Sequence, residues 1–167
     1  VNSPQFFLKY PAKGKERNTL KFDVNFPPEE GNEYETFRFT EIDRAMTCQN
    51  IPTMFANKLI AAKNRYERNK FIAGRDIFDI RSFLLYGAKY KKEIIEKKRQ
   101  TDILSYIMEL RDFIQEKVTQ TVIDQDLNML IPPNAFKKMR TIIKPQTIIL
   151  LNEEINSLSM SEANAKR

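Results

Sequence analysis

Between Phe55 and Leu85 the chain reads FANKLIAAKNRYERNKFIAGRDIFDIRSFLL, with charges of both signs at helical spacings inside two apolar stripes. Lys58 and Arg65 fall two turns apart on one helical face. Such a pair can grip a triphosphate, the lysine as a point charge and the arginine as a planar fork. Taken as ordinary surface residues, they would be a solvated helix flank. Arg75, Asp76 and Asp79 open the next run. Asp76 and Asp79 are i, i+3 and share a face near a helix N-terminus, where the dipole favours a carboxylate by about 0.3–1 kcal/mol. That term accounts for Asp76 better than for both acids. Arg75 and Asp79 are i, i+4, a spacing that allows an ion pair. A second carboxylate at a stripe's edge needs a cation, and Lys58 or Arg65 is the natural partner.

Two other acidic positions invite chemistry. Asp23 lies in TLKFDVNF, where Leu20, Phe22, Val24 and Phe26 alternate with Lys21, Asp23 and Asn25. A carboxylate fixed on a strand can bind a divalent metal or take a proton from a hydroxyl; the same alternation also describes a strand residue that simply faces water. Asp124-Gln125-Asp126 has the spacing that pairs two carboxylates on a strand, but it sits where a long helix ends, with no Gly-Gly or Gly-Ser turn before it. A Gly-rich phosphate loop is missing, because the glycines are Gly14, Gly31, Gly74 and Gly87. There is no histidine, which excludes histidine bases, histidine metal ligands and Ser-His-Asp triads. One cysteine, Cys48, excludes an internal disulfide and a Cys-rich zinc site and fits a reducing cytoplasmic location. No apolar run approaches the roughly 20 residues of a membrane helix, and no signal peptide precedes NSPQFFLKY. The chain opens at Val1, which reads as a piece of a longer protein.

The elements that must position these residues fall into two parts, a β-rich segment over 1–50 and a helical segment over 51–167. Residues 5–10 and 19–26 read as strands joined by a hairpin turn in PAKGKERN, with a break at Pro27-Pro28. A third short strand is expected at Glu35–Thr40 and a short helix from Thr40 to Met46. Thr53 reads as the cap of a helix with Phe55, Leu59, Ala62 and Tyr66 in line. The second helix runs Arg75–Tyr86 with Gly87 as its C-cap, and a basic third covers Lys89–Lys98. A long fourth is capped by Asp102, with Ile103, Ile107, Leu110, Ile114 and Val118 as its stripe. A fifth is capped by Asn134, and a sixth has Pro145 at its start; the final SMSEANAKR looks frayed. The fold class is α+β, a small antiparallel or mixed β part followed by a helical bundle.

The net charge of +6 is concentrated. Residues 51–100 carry thirteen basic and five acidic side chains. A basic face of this kind favours phosphates, whether of a nucleotide or RNA, or an acidic partner protein. For Lys89–Arg99 alone, an exposed Lys-rich helix is the simpler reading.

In order and separation these pieces resemble the AbiEii-type nucleotidyltransferases, toxins of type IV toxin–antitoxin systems within the DNA polymerase beta-like superfamily. Lys21-Phe22-Asp23-Val24 matches the family's second motif, a strand of the form Lys-apolar-acid-apolar. Asn57-Lys58-Leu59-Ile60-Ala61 with Arg65 matches the third, Glu-Lys-Leu-x-Ala followed by Arg. Arg75-Asp76-Ile77-Phe78-Asp79-Ile80 matches the fourth, R-D-x-x-D-L. The likeness covers residues 19–86 by motif and the helical tail by character. Two departures stand out: the first motif, a Gly-Gly or Gly-Ser turn with an acidic pair, is missing, and Asn57 stands where the family has an acid.

The resemblance implies that Asp23 is the third metal carboxylate, helping to bind Mg²⁺ and activate an acceptor hydroxyl. It implies that Lys58 and Arg65, with Arg75 and Asp76, contact the nucleotide, and that Asp79 orients Lys58 or acts on the acceptor. The implied reaction moves a nucleoside monophosphate from an NTP to a hydroxyl, with RNA such as tRNA as acceptor and an antitoxin as protein partner. Lacking two of three metal carboxylates, the chain by itself is expected to be inactive. The competing expectation is a non-enzymatic basic helical module that binds RNA or an acidic protein.

Overall fold

A computed structural model describes residues 4–11, 18–24, 26–28 and 30–165. The chain divides into two compact units, Val1–Asn32 and Glu33–Arg167.

In the first unit β1 (Gln5–Lys9) pairs antiparallel with β2 (Thr19–Asp23). Phe6 faces Phe22 and Leu8 faces Leu20, so the alternation puts these four on one side of the pleat. All four are exposed. The turn expected in PAKGKERN falls mostly on residues 12–17, outside the described residues.

The second unit opens with β3 (Tyr34–Phe39) paired antiparallel to β4 (Arg44–Gln49). This corrects the short helix expected from Thr40 to Met46. Only Thr40–Ile42 is helical, as one 3-10 turn. Asp43 then takes a left-handed conformation (φ 44°), which Asp tolerates better than most residues, and the chain reverses. Its carboxylate accepts from Arg38 at 2.8 Å across the turn. The helix-forming look of Ala45 and Met46 yields to strand pairing, a tertiary effect that local propensity does not report.

Seven helices follow: α1 (Ile51–Asn69), α2 (Gly74–Leu85), α3 (Lys92–Arg99), α4 (Ile103–Lys117), α5 (Gln120–Leu127), α6 (Pro133–Met139) and α7 (Ile143–Ala165). With the two small antiparallel sheets, they bear out the α+β class. The cap of α1 is Asn50, not Thr53: the Asn50 side chain accepts the Thr53 N–H at 3.0 Å, and Pro52 sits in the first turn where its missing donor costs nothing. Thr53 is instead buried, its hydroxyl accepting the Glu33 N–H at 3.2 Å and tying β3 to α1. Asp102 caps α4 as expected, accepting from Ser105 N–H at 2.8 Å. An extended Val118 then ends α4, and Thr119 caps the separate α5 that the sequence reading merged into it. α6 is entered through Pro132, and Asn134 lies inside it rather than at its cap. α7 runs on to Ala165, well into the segment expected to fray.

The core is centred on Phe55, Leu59, Ile77, Ile80, Ile107, Leu110, Ile114 and Leu151. Tyr106 of α4 is fully buried and donates to the Leu59 carbonyl of α1 at 3.1 Å. Gly74 opens α2 hard against α5: a Cβ there would lie 2.6 Å from Val122 O and 2.9 Å from Ile123 Cα. Both are backbone atoms and cannot swing aside. Gly74→Ala is therefore expected to destabilise the helical unit by about 1–3 kcal/mol, read as a lower denaturant midpoint with an unchanged slope.

Candidate functional site

Lys58, Ala62 and Arg65 form one i, i+4, i+7 row on α1. Ala62, small and 2% exposed, lets α2 approach between the two cations. α2 begins beyond Ala73, whose carbonyl accepts the Asp76 N–H at 3.0 Å, which fixes Asp76 in the first turn. Its side chain is 1% exposed. Lys58 Nζ donates to Asp76 Oδ1 at 3.1 Å and meets Asp79 Oδ2 at 2.9 Å. Arg65 Nε lies 2.9 Å from Asp76 Oδ2, but the two are not aligned as a hydrogen bond. One buried carboxylate thus stands between two cations, with a directed bond to one and a charge contact to the other.

The cluster is graded in depth. Asp76 is at the bottom, Lys58 is 26% exposed, and Asp79 and Arg65 are each 39% exposed. Burial pushes the Lys58 amine down, but the bonds and charges of Asp79 and Asp76 outweigh it and hold the amine above its ordinary value. Lys58 is a fixed cation at neutral pH. Asp79 turns to Lys58 and not to Arg75, so the i, i+4 pair allowed by the sequence is not formed. Arg75 is exposed and makes no ion pair among the described residues.

Asp23 belongs to the first unit. It ends β2 exposed, paired with Lys21 at 3.0 Å on the face opposite Phe22. Among the described residues no group of three or more His, Cys, Asp or Glu side chains is placed to hold a metal. The carboxylates present therefore do not by themselves fit Mg²⁺, which takes several oxygen ligands. Asp124 and Asp126 sit on helical α5, about 200° apart around its axis, and share no face. Asp124 is engaged by Gln120 and Arg140.

Residues from distant parts of the chain complete the surroundings of α1. Lys98 donates to Asn57 Oδ1 at 2.9 Å. Arg99 donates to Asn64 at 2.7 Å, forks onto both Glu67 oxygens at 2.8 Å, and lies over the Tyr106 ring. Lys63 adds bonds to Glu67 and Glu109. Sequence reasoning missed this network because Arg99 lies more than thirty residues from Asn64 and Glu67; the i, i+4 spacing of Lys63 and Glu67 was a local sign.

Two outcomes follow. Asp76→Ala leaves Lys58 and Arg65 without their shared anion and is expected to cost about 2–4 kcal/mol, less than a wholly buried pair because both cations can rehydrate. Asp76→Asn, which keeps an oxygen for Lys58, recovers part of that loss in the same denaturant titration. The Arg99 fork holds the Glu67 carboxyl down at about 2. Its stabilising effect is present above the ordinary carboxylate range and is lost as pH falls toward 2. Glu67 is 42% exposed, so the effect is screened to about 1 kcal/mol or less. Glu67→Gln should remove that part of the acid limb and leave the neutral plateau nearly level.

No described helix is long and apolar enough to cross a membrane. No curated protein and no solved structure matches the chain. Residues 2–144 match the family model described as nucleotidyl transferase AbiEii toxin, type IV TA system. The match spans both motif-bearing helices and the β2 strand, and the chain belongs to the AbiEii nucleotidyl transferase toxin family.

Proposed function

We propose that the α1–α2 cluster is the phosphate-binding wall of a nucleotidyl transfer site. The observation that carries this is the sharing of one buried carboxylate, Asp76, by Lys58 and Arg65, with their heads left at the surface. Two cations held at a fixed spacing over a partly dry floor are arranged to neutralise phosphate oxygens without reorganising. Asp76 has no solvent path to a nucleotide and acts by positioning both cations. Arg75, at the rim beside Asp79 around α2, adds charge where a triphosphate would enter.

In the reaction, an acceptor hydroxyl oxygen bonds to the α-phosphorus of an NTP, the α–β bridging bond breaks, and pyrophosphate leaves with the bond's electrons. Lys58 and Arg65 stabilise the charge that builds on the transferred and leaving phosphates. Asp79 holds Lys58 in place, and its second oxygen is the available acceptor for the hydroxyl proton. Asp23 is assigned to the metal side, as the family pattern implies. Mg²⁺ would supply the remaining charge neutralisation in a site with its full set of carboxylates. The acidic pair of the first motif is not among the 167 residues, so the chain alone is expected to bind nucleotide and not to complete transfer. An RNA such as tRNA is the proposed acceptor, an antitoxin the proposed protein partner, and the cytoplasm the proposed location.

Binding of a nucleoside triphosphate to the full chain, followed by calorimetry, tests the reading. Lys58→Ala and Arg65→Ala should each weaken binding by about tenfold, the worth of one charge-assisted hydrogen bond. Lys137→Ala on α6 should leave it unchanged. Equal binding in all four proteins would remove the cluster from the site and favour a non-enzymatic basic module.

A further inference from the structure

α2 carries a second ionic feature, on the side away from Asp79. Arg81 follows Asp79 by two residues, about 200° around the helix. It is 9% exposed and is the one buried cation among the described residues. Its Nε donates to the Gln146 side-chain oxygen of α7 at 2.7 Å. Among the described residues no carboxylate pairs with it, and Nη1 and Nη2 have no partner. Both terminal nitrogens keep some contact with solvent. Burial pushes the guanidinium down from its ordinary value, and no neighbouring charge offsets that. Lys58, Arg65, Arg99 and Arg140 each have a carboxylate within reach. Arg81 is more buried than any of them and has only an amide oxygen.

No anion comes from a neighbouring turn of either helix. One turn away on α2 stand Ile77, Phe78, Leu84 and Leu85. One turn from Gln146 stand Ile142, Ile143, Ile149 and Leu150. Of these, Leu85, Ile142 and Ile149 are exposed. An arginine that simply covers apolar surface keeps its head in water. Arg81 is sunk beyond that, with Nε held inside and a two-pronged edge facing out. Gln146 has its oxygen engaged and its amide N–H groups to offer. The polar groups left to this opening are donors, and the side chains beside it are apolar.

We propose that Arg81 and Gln146 form the receptor for a side-chain carboxylate of a partner protein, seated with its own apolar residues against Leu85, Ile142 and Ile149. The planar edge of a guanidinium matches the two oxygens of a carboxylate. A sunken arginine among exposed apolar side chains has the make-up of an interface anchor, where rim contacts keep water from the charge pair. A nucleic-acid strand fits poorly, because its phosphates follow one another at regular spacing and the next ones would meet isoleucine and leucine. The inference does not rest on the proposed transfer site, with which it shares no residue.

The probe is a phage-displayed library of random dodecapeptides panned on the full chain. Enriched sequences should carry an Asp or Glu among apolar residues, and the strongest is synthesised and titrated by fluorescence anisotropy. Replacing its acid by the matching amide should weaken binding about tenfold, the worth of one charge-assisted hydrogen bond. In Arg81→Gln the acid and amide peptides should bind alike. Ile149→Glu, at an exposed position, sets a carboxylate beside the fork and should block the peptide without lowering the melting temperature. That variant decides the matter where Arg81→Gln does not fold. Lys137→Gln on α6 should leave peptide binding unchanged. Nucleotide binding in Ile149→Glu should also stay level, which separates this surface from the transfer site. Panning that enriches no acidic peptide overturns the proposal. So do equal binding of the acid and amide peptides to the unmodified chain, and undiminished binding in Ile149→Glu. Displacement of the peptide by a single-stranded oligoribonucleotide would overturn it as well and assign the fork to phosphate.

Discussion

A buried carboxylate between two cations is the constraint on which the helical unit is built. Asp76 is out of water, and an ion there is tolerated only if paired and bonded. Lys58 and Arg65 meet that demand from α1, and in doing so fix how α1 and α2 sit against each other. Gly74 and Ala62 remove the bulk that would keep the helices apart, and Asn50 sets where α1 begins and thus which residues face α2. The ion cluster is as much a packing determinant as a chemical one. That packing role holds the Lys58 and Arg65 heads over Asp76, where the proposed site needs them.

The far side of α1 is braced by a separate device. Arg99 forks onto Glu67, bonds Asn64 and stacks over Tyr106, whose hydroxyl in turn holds the Leu59 carbonyl. α1 is therefore gripped along both flanks by charge and from below by the apolar core, leaving one strip open. The helix that carries the Lys58–Arg65 row is thus anchored on several sides, as the proposed site requires.

That Lys58, Arg65, Asp76 and Asp79 cluster was legible from sequence because the spacings are local: i, i+3 and i, i+7 survive translation into a helix without knowledge of the rest of the fold. Their partners were less so. For Asp79 the spacing offered Arg75 as well as Lys58 or Arg65, and only the structure selects Lys58. β4 was read as helix because Ala45 and Met46 carry helical propensity, while the strand depends on pairing across the Asp43 reversal. α5 was merged with α4 because the apolar period continues through Val118, whose extended backbone alone marks the break. Thr53 looked like a cap by residue type; the oxygen that caps belongs to Asn50, three residues earlier, and Thr53 is spent on Glu33 instead.

The central claim is that Lys58 and Arg65, held over Asp76, receive phosphate. Nitrogen-15 NMR of the lysine ammonium and arginine Nε groups, recorded during titration with a nucleoside triphosphate, reads those two atoms directly. Saturable shifts of the Lys58 Nζ and Arg65 Nε signals, with those of Lys137 and Lys138 still, are the expected result. Shifts elsewhere with Lys58 and Arg65 unmoved at saturation would contradict the account.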